Sequence, residues 1–280
     1  MNTVKIGNVE ITALQDSPFL MNPRVLVPEH ADEMLVEWGH QLDARQLLMN
    51  SITTYLLRSE GKNILIDTGV GGRRRPGMPP GKLDETLAAA GISPSDIDLV
   101  IHTHLHIDHV GWNTVEDADG KSRVFFDRAR FMIQQIEWDY WMTPEMLAEP
   151  RNLHLVECVK PLEGTGRIDF RTGESAIDAN LTFVPTPGHT PGHVAVGIHS
   201  AGERAIIIGD ASHHPVHLVH PDWQVPLDGD KELAARTRAK LFDDVERDGS
   251  TLIAGHWTYP GMGRIVRLDG KRSFQALSIG

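Results

Sequence analysis

The stretch Thr103-His104-Leu105-His106-Ile107-Asp108-His109 packs three imidazoles and a carboxylate into one short span. Such groups are costly to bury unless something positive satisfies them. The apolar run Asp98-Leu99-Val100-Ile101 precedes them and Gly111 follows. The cluster is therefore expected on a strand-to-helix loop at the end of a sheet. Imidazole nitrogen and carboxylate oxygen suit zinc, iron, nickel or manganese. In a tight turn, alternate residues can point to one metal while Asp108 and His109 point to a second.

Downstream the chain repeats one device, a strand followed by glycine and then a ligand type: Pro187-Gly188-His189, Gly209-Asp210 and Gly255-His256. Glycine lets the backbone turn sharply, so the next side chain projects from the sheet end into a shared cleft.

These residues need a scaffold, and its elements are readable in order. Residues 4–14 alternate apolar and polar positions around Gly7-Asn8, a hairpin pattern. Residues 16–50, interrupted by Pro18, Pro23 and Pro28, read as a long excursion with a helix near 31–38. Its apolar side chains would cover a substrate pocket or pack as a core flap. Strands are expected over 51–58, 63–67, 130–134, 181–185, 194–198, 205–208 and 251–254, with 264–268 as the closing strand. Helices are expected over 82–90 and 228–247. The Gly/Pro-rich loop 71–81 carries Arg73-Arg74-Arg75, either a clamp for an anionic substrate or a solvated charge run. Trp138, Tyr140, Trp141, Met142 and Met146 would line an apolar pocket or fill core. The two halves mirror each other: strands, then a helix, then ligand-bearing loops. That arrangement predicts an α/β sandwich, two facing sheets with helices on the outer faces, as a single domain over 1–280.

At 280 residues, with 40% hydrophobic and 23% charged residues, the composition is that of a globular enzyme. A net charge of −11 argues against nucleic acid as the main partner. The single Cys158 excludes an intrachain disulfide or a cysteine-rich metal site and is expected in a core or an interface. No secretory signal and no apolar run of transmembrane length is found, so a cytoplasmic location without membrane contact is the default expectation. The apolar excursion makes a homodimer an expectation too.

The H-x-H-x-D-H pattern resembles the metal-binding motif of the metallo-β-lactamase-fold hydrolases, and the matching motifs run from Asp67 to His256. The resemblance implies an αββα fold with two mixed sheets. It assigns His104, His106 and His189 to a first metal and Asp108, His109 and His256 to a second, with Asp210 bridging. Two divalent ions are implied, zinc foremost, with iron, manganese, cobalt or nickel as alternatives. Asp67 in Asp67-Thr68-Gly69 would support the ligand loop, or serve only as a turn former. His193 is expected to support the ligands from behind or to be structural. The implied nucleophile is a hydroxide shared by the two ions, oriented or relieved of its proton by Asp108 or Asp210.

Two departures narrow the family. Asp210 stands where many β-lactamases carry a cysteine or no bridging Asp, which disfavours antibiotic hydrolysis. His213 stands where acyl-homoserine lactonases carry a tyrosine, which looks closer to the methyl parathion hydrolase-like esterases. His213 would contact the substrate oxygen or leaving group, or only pack on the metal shell. The expected activity is hydrolysis of a small carboxylic ester or lactone, with phosphotriester cleavage as a side activity. The alternatives are a persulfide dioxygenase-like enzyme with one iron and a non-catalytic metal-binding protein.

Overall fold

A computed structural model describes residues 2–75 and 78–278. Pro76 and Gly77 of the expected 71–81 loop lie outside the described residues. The first sheet begins with β1 (Thr3–Ile6), β2 (Val9–Met21), β3 (Leu48–Ser59), β4 (Lys62–Ile66) and β5 (Leu99–Ile101). A separate ribbon of β6 (Thr114–Glu116) and β7 (Ser122–Val124) follows, and β8 (Arg130–Gln134) and β9 (Ile168–Arg171) complete the sheet. The second sheet runs in chain order: β10 (Ser175–Ala176), β11 (Leu181–Pro185), β12 (Val194–Ser200), β13 (Glu203–Ile207), β14 (Thr251–Ile253), β15 (Met262–Leu268) and β16 (Lys271–Ala276). Both sheets are mixed, because β4, β5, β8 and β9 run parallel, as do β13 and β14.

The helices are α1 (Pro23–Leu26), α2 (Ala31–Glu37), α3 (Leu83–Ala89), α4 (Ile107–Val110), α5 (Gln135–Trp141), α6 (Pro144–Ala148), α7 (Val216–Val219) and α8 (Lys231–Asp248). Strand periodicity explains the layering. Ile64 and Ile66 of β4 point inward with Ile207 and Ile253 into the core between the sheets. Leu65 points outward with Leu83 and Leu87 of α3. On the opposite face Ile206 and Leu252 meet Leu241, Phe242 and Val245 of α8. The expected αββα sandwich is the observed one. Among the described residues no helix is long and apolar enough to cross a membrane.

Three of the differences from the sequence reading have a clear physical reason. Residues 16–21 continue β2 instead of opening an excursion. Pro18 is tolerated there because β1 pairs with β2 only from Val9 to Thr12, leaving that flank without a ladder needing its missing N–H. The closing strand is β16, joined to β15 by Asp269-Gly270, both with positive φ (49° and 80°), a tight hairpin turn. Helix α8 starts at Lys231, where the Asp230 side chain accepts the Leu233 N–H at 2.9 Å, so Asp228 lies before it.

The β2–β3 pairing slips between Gln15 and Ser17, which leaves Asp16 as a bulge residue. Its carboxylate accepts the N–H groups of Val70 (2.7 Å), Leu83 (2.8 Å) and the Trp112 indole (2.8 Å). This anchor explains the glycines around it: a Cβ on Gly69 or Gly81 would lie 2.3 Å or 2.2 Å from an Asp16 oxygen. Of the arginines in this loop, Arg73 donates to the Thr114 carbonyl at 3.1 Å and Ser122 Oγ at 2.9 Å, and Arg75 pairs with Glu157. Both brace the fold and neither lines the central cavity, so the substrate clamp is not what they form. Of the three, Arg74 is the exposed one.

Candidate metal centre

Each ligand-type residue leaves the end of a strand, as the strand–glycine pattern predicts. His104 and His106 follow β5, His189 follows β11, Asp210 follows β13 and His256 follows β14. Gly188 and Gly209 take φ of 133° and 50°, turns that a side chain would resist. The loops converge at one end of the sandwich.

There the residues fall into two groups of mutually close donor atoms: His104, His106, His189 and Asp210, then Asp108, His109 and His256. His106 Nδ1 lies 3.0 Å from His104 Nε2 and 2.9 Å from His189 Nε2. His109 Nε2 and His256 Nε2 are 3.3 Å apart. Ligand nitrogens on a zinc tetrahedron with bonds of about 2.0–2.1 Å stand about 3.3 Å apart, so these edges match such an ion. Asp210 lies between the groups. Its Oδ1 is 3.1 Å from both His109 Nε2 and His256 Nε2, and its Oδ2 is 3.3 Å from His189 Nε2 and 3.8 Å from His104 Nε2. Asp108 Oδ2 is 3.4 Å from His256 Nε2.

Asp210 Oδ1 is buried yet has no well-aimed hydrogen-bond donor among the described residues. Acceptor atoms facing one another around common points are what a pair of cations would satisfy, so the residues fit two divalent metal ions. The electrostatics agree. Burial pushes His104 and His106 well below the usual imidazole range, reinforced by neighbouring rings. Burial acts the same way on His109, but Asp210, Asp67 and Asp108 outweigh it and raise that ring. His189 is pushed up to about 9, because Asp210 and Asp228 overcome its burial. The carboxylates that favour protons on these rings are placed to hold metal charge instead.

Supporting contacts surround the ligands. Asp67 accepts Thr103 N–H (2.8 Å), Thr103 Oγ1–H (2.7 Å) and the His109 Nδ1 proton (2.8 Å), so it braces the ligand loop as the resemblance implied. Burial alone would raise its carboxyl, yet the charges and hydrogen bonds of His109 and His102 hold it low. His193 is buried behind Asp210 and structural. His213 Nε2 is 3.2 Å from Asp210 Oδ2, and its ring stacks on His256 with centroids 5.6 Å apart. Cys158 is buried in a core cluster.

Sequence reasoning missed Asp228 and Arg238. Asp228 Oδ1 accepts the His189 Nδ1 proton at 2.9 Å, and its Oδ2 accepts Arg238 at 2.9 Å. Arg238 also donates to the Ala211 carbonyl at 2.7 Å, one residue past Asp210. The only sequence signal was an Arg on the otherwise apolar face of α8.

The centre opens into a cavity of about 830 Å³. Phe19, Met21, Tyr140, Trp141, Met146 and Leu233 line its wall, and His106, Asp108, Asp210 and His213 its floor. Tyr140, Trp141 and Met146 thus line a pocket, while Trp138 and Met142 pack in a core cluster that Trp141 also joins.

The metallo-beta-lactamase superfamily model matches residues 49–117 and 136–256, and the chain belongs to that family. A relative of this kind is the N-acyl homoserine lactonase of Bacillus thuringiensis, 26% identical over 230 residues, covering 75% of this chain and 83% of the relative. Among solved structures, the hydrolase AbOPH superposes with a TM-score of 0.84 at 26% identity, covering 100% of this chain and 98% of that one. AidC, a dizinc quorum-quenching lactonase in complex with a product, superposes with a TM-score of 0.82 at 23% identity, covering 99% and 97%.

Proposed function

We propose that this chain is a dinuclear metal-dependent hydrolase of small carboxylic esters and lactones, with lactones as the leading class. The observation that carries it is Asp210, one oxygen turned to each ligand group at the floor of an apolar cavity. The named relatives, lactonases and hydrolases, favour this reading over the oxidative one. His104, His106 and His189 would hold one ion and Asp108, His109 and His256 the other. Zinc is the favoured metal, given the nitrogen-rich donor set. Bound there, two divalent ions supply an acidified water and polarise the oxygen of the scissile group.

The chain's own residues do the rest. The apolar wall excludes water and receives the acyl portion of the substrate. Asp108, whose side chain is still 19% exposed at the cavity, accepts the proton that water loses as its oxygen bonds to the carbonyl carbon. The carbon–oxygen bond of the ester or lactone then breaks, and that proton passes to the leaving oxygen. His213 lines the cavity with both ring nitrogens free of well-formed protein hydrogen bonds, and it donates to the carbonyl or leaving oxygen. One domain over 1–280, a homodimer and a cytoplasmic setting complete the reading, the last suited to the lone buried thiol.

Proton release followed by pH-stat, with lactones, aryl esters and phosphotriesters offered to the metal-loaded protein, tests it. Turnover of a lactone that disappears in His106→Ala supports the reading. Silence across the panel with two metals bound overturns it.

A further inference from the structure

Glu137 lies in the first turn of α5 with 1% of its surface exposed, and among the described residues no cation pairs with it. Four donors fill its two oxygens. Oε1 accepts the Leu105 N–H at 3.0 Å and the Trp141 indole N–H at 2.8 Å. Oε2 accepts the Thr190 hydroxyl at 2.7 Å and the Gly192 N–H at 2.9 Å. Leu105 separates His104 from His106, and Thr190 follows His189. One carboxylate therefore ties together the two loops that carry all three imidazoles of the first group. The loop presses so closely on α5 that a Cβ on Gly192 would lie 2.4 Å from Glu137 N.

Side-chain chemistry explains the choice of an acid. An ionised carboxylate only accepts, whereas an amide would turn a donor toward one of these donors. A buried carboxylate is costly, and four hydrogen bonds offset that cost. Trp141, held by the same oxygen as Leu105, sets its ring edge-on to His106 with centroids 5.3 Å apart. The second group is held otherwise: His109 by Asp67 at 2.8 Å and His256 through the Ser51 carbonyl at 3.1 Å.

We infer that Glu137 is a positioning residue for the first metal site alone, aligning His104, His106 and His189 with one another and with the Trp141 wall. This rests on the reading of those three histidines as ligands of one ion. Its signature is selective loss of one metal.

The test is chelator competition on the full chain loaded with zinc, with bound metal counted at each chelator concentration. In Glu137→Gln one equivalent is expected to leave at a chelator concentration about 10–100-fold lower than in the wild type, the size usual for outer contacts of a metal ligand. The second equivalent is expected to leave as in the wild type, and kcat is expected to fall with KM nearly unchanged. Both metals lost together, or neither displaced, would overturn the inference. Should Glu137→Gln fail to fold, Thr190→Val removes one of the four bonds; a smaller but equally selective loss is expected, and an unchanged profile overturns the inference. A wild type that binds fewer than two zinc ions overturns the ligand reading itself, and this inference with it.

Discussion

The imidazole of His193 accepts the backbone N–H of Asp210 at 2.9 Å through Nε2, while its Nδ1 donates to the Thr186 carbonyl at 3.1 Å. Burial, the main cause, holds this ring down to about 3, so it stays a neutral acceptor. The left-handed Gly209 (φ 50°) lies directly beneath, where a Cβ would stand 2.7 Å from His193 Nε2. His193 thus sets the height at which Asp210 enters the centre. His193→Phe would leave that N–H buried and unpaired, costing about 1–3 kcal/mol. Urea denaturation is expected to show this loss, and zinc titration a weaker affinity for both ions, since Asp210 faces both.

The Arg238–Asp228–His189 chain makes a separate prediction. Arg238→Met leaves Asp228 in a fully buried place with only His189 to balance its charge. Breaking such a pair costs about 3–5 kcal/mol. The variant is expected to melt well below the wild type even when both are stripped of metal. Asp228→Asn keeps a partner for His189 and should be the milder change in the same melts.

Asp16 predicts a pH dependence. Burial, outweighing its hydrogen bonds, pushes its carboxyl from 3.8 up to about 6. A folded-state value above the unfolded one means the folded chain binds this proton more tightly. The associated stability is therefore complete below about 3.8 and lost as pH rises through about 6. Asp16→Asn lacks this titration, so wild-type stability minus variant stability should fall by about 2 kcal/mol between pH 4 and 7. Denaturant melts of both metal-free chains at several pH values measure it, and a flat difference would contradict the shift.

The cavity wall predicts chain-length selectivity. Leu233, at the cavity side of α8, is expected to contact the distal part of an acyl chain. Leu233→Ala should raise KM for long-chain lactones by about 1 kcal/mol in binding, roughly fivefold. KM for short-chain ones should hardly change. Equal effects on both would place the acyl chain elsewhere.

Much of the centre was legible because ligand chemistry is local. His104, His106, Asp108 and His109 sit in one turn, and glycine announces the turns before His189, Asp210 and His256. The sandwich was legible too, since strand alternation and the Leu241/Val245 spacing on α8 are patterns along the chain. What stayed hidden is what long-range pairing creates. Asp16 becomes an anchor only because β2 slips against β3, and Glu137 becomes a clamp only when two distant loops meet at α5. Pro18 looked like an end to β2, because a sequence does not show which flank of a strand lacks a neighbour. Asp269-Gly270 is a hairpin signal that the reading of 264–268 as the closing strand passed over; it marks the turn into β16.

The two ligand groups share a property that follows from where their members lie along the chain. His104, His106, Asp108 and His109 belong to the first sheet's half, while His189, Asp210 and His256 belong to the second's. Neither half carries a complete set. Each ion would thus be a rivet between two separately woven layers, and metal supply would set how firmly the layers are fastened. Binding energy of this kind adds to folding stability by mass action. Chelation is then a mechanical event for the whole sandwich, and starvation for metal would expose the chain to proteolysis along the seam between its sheets.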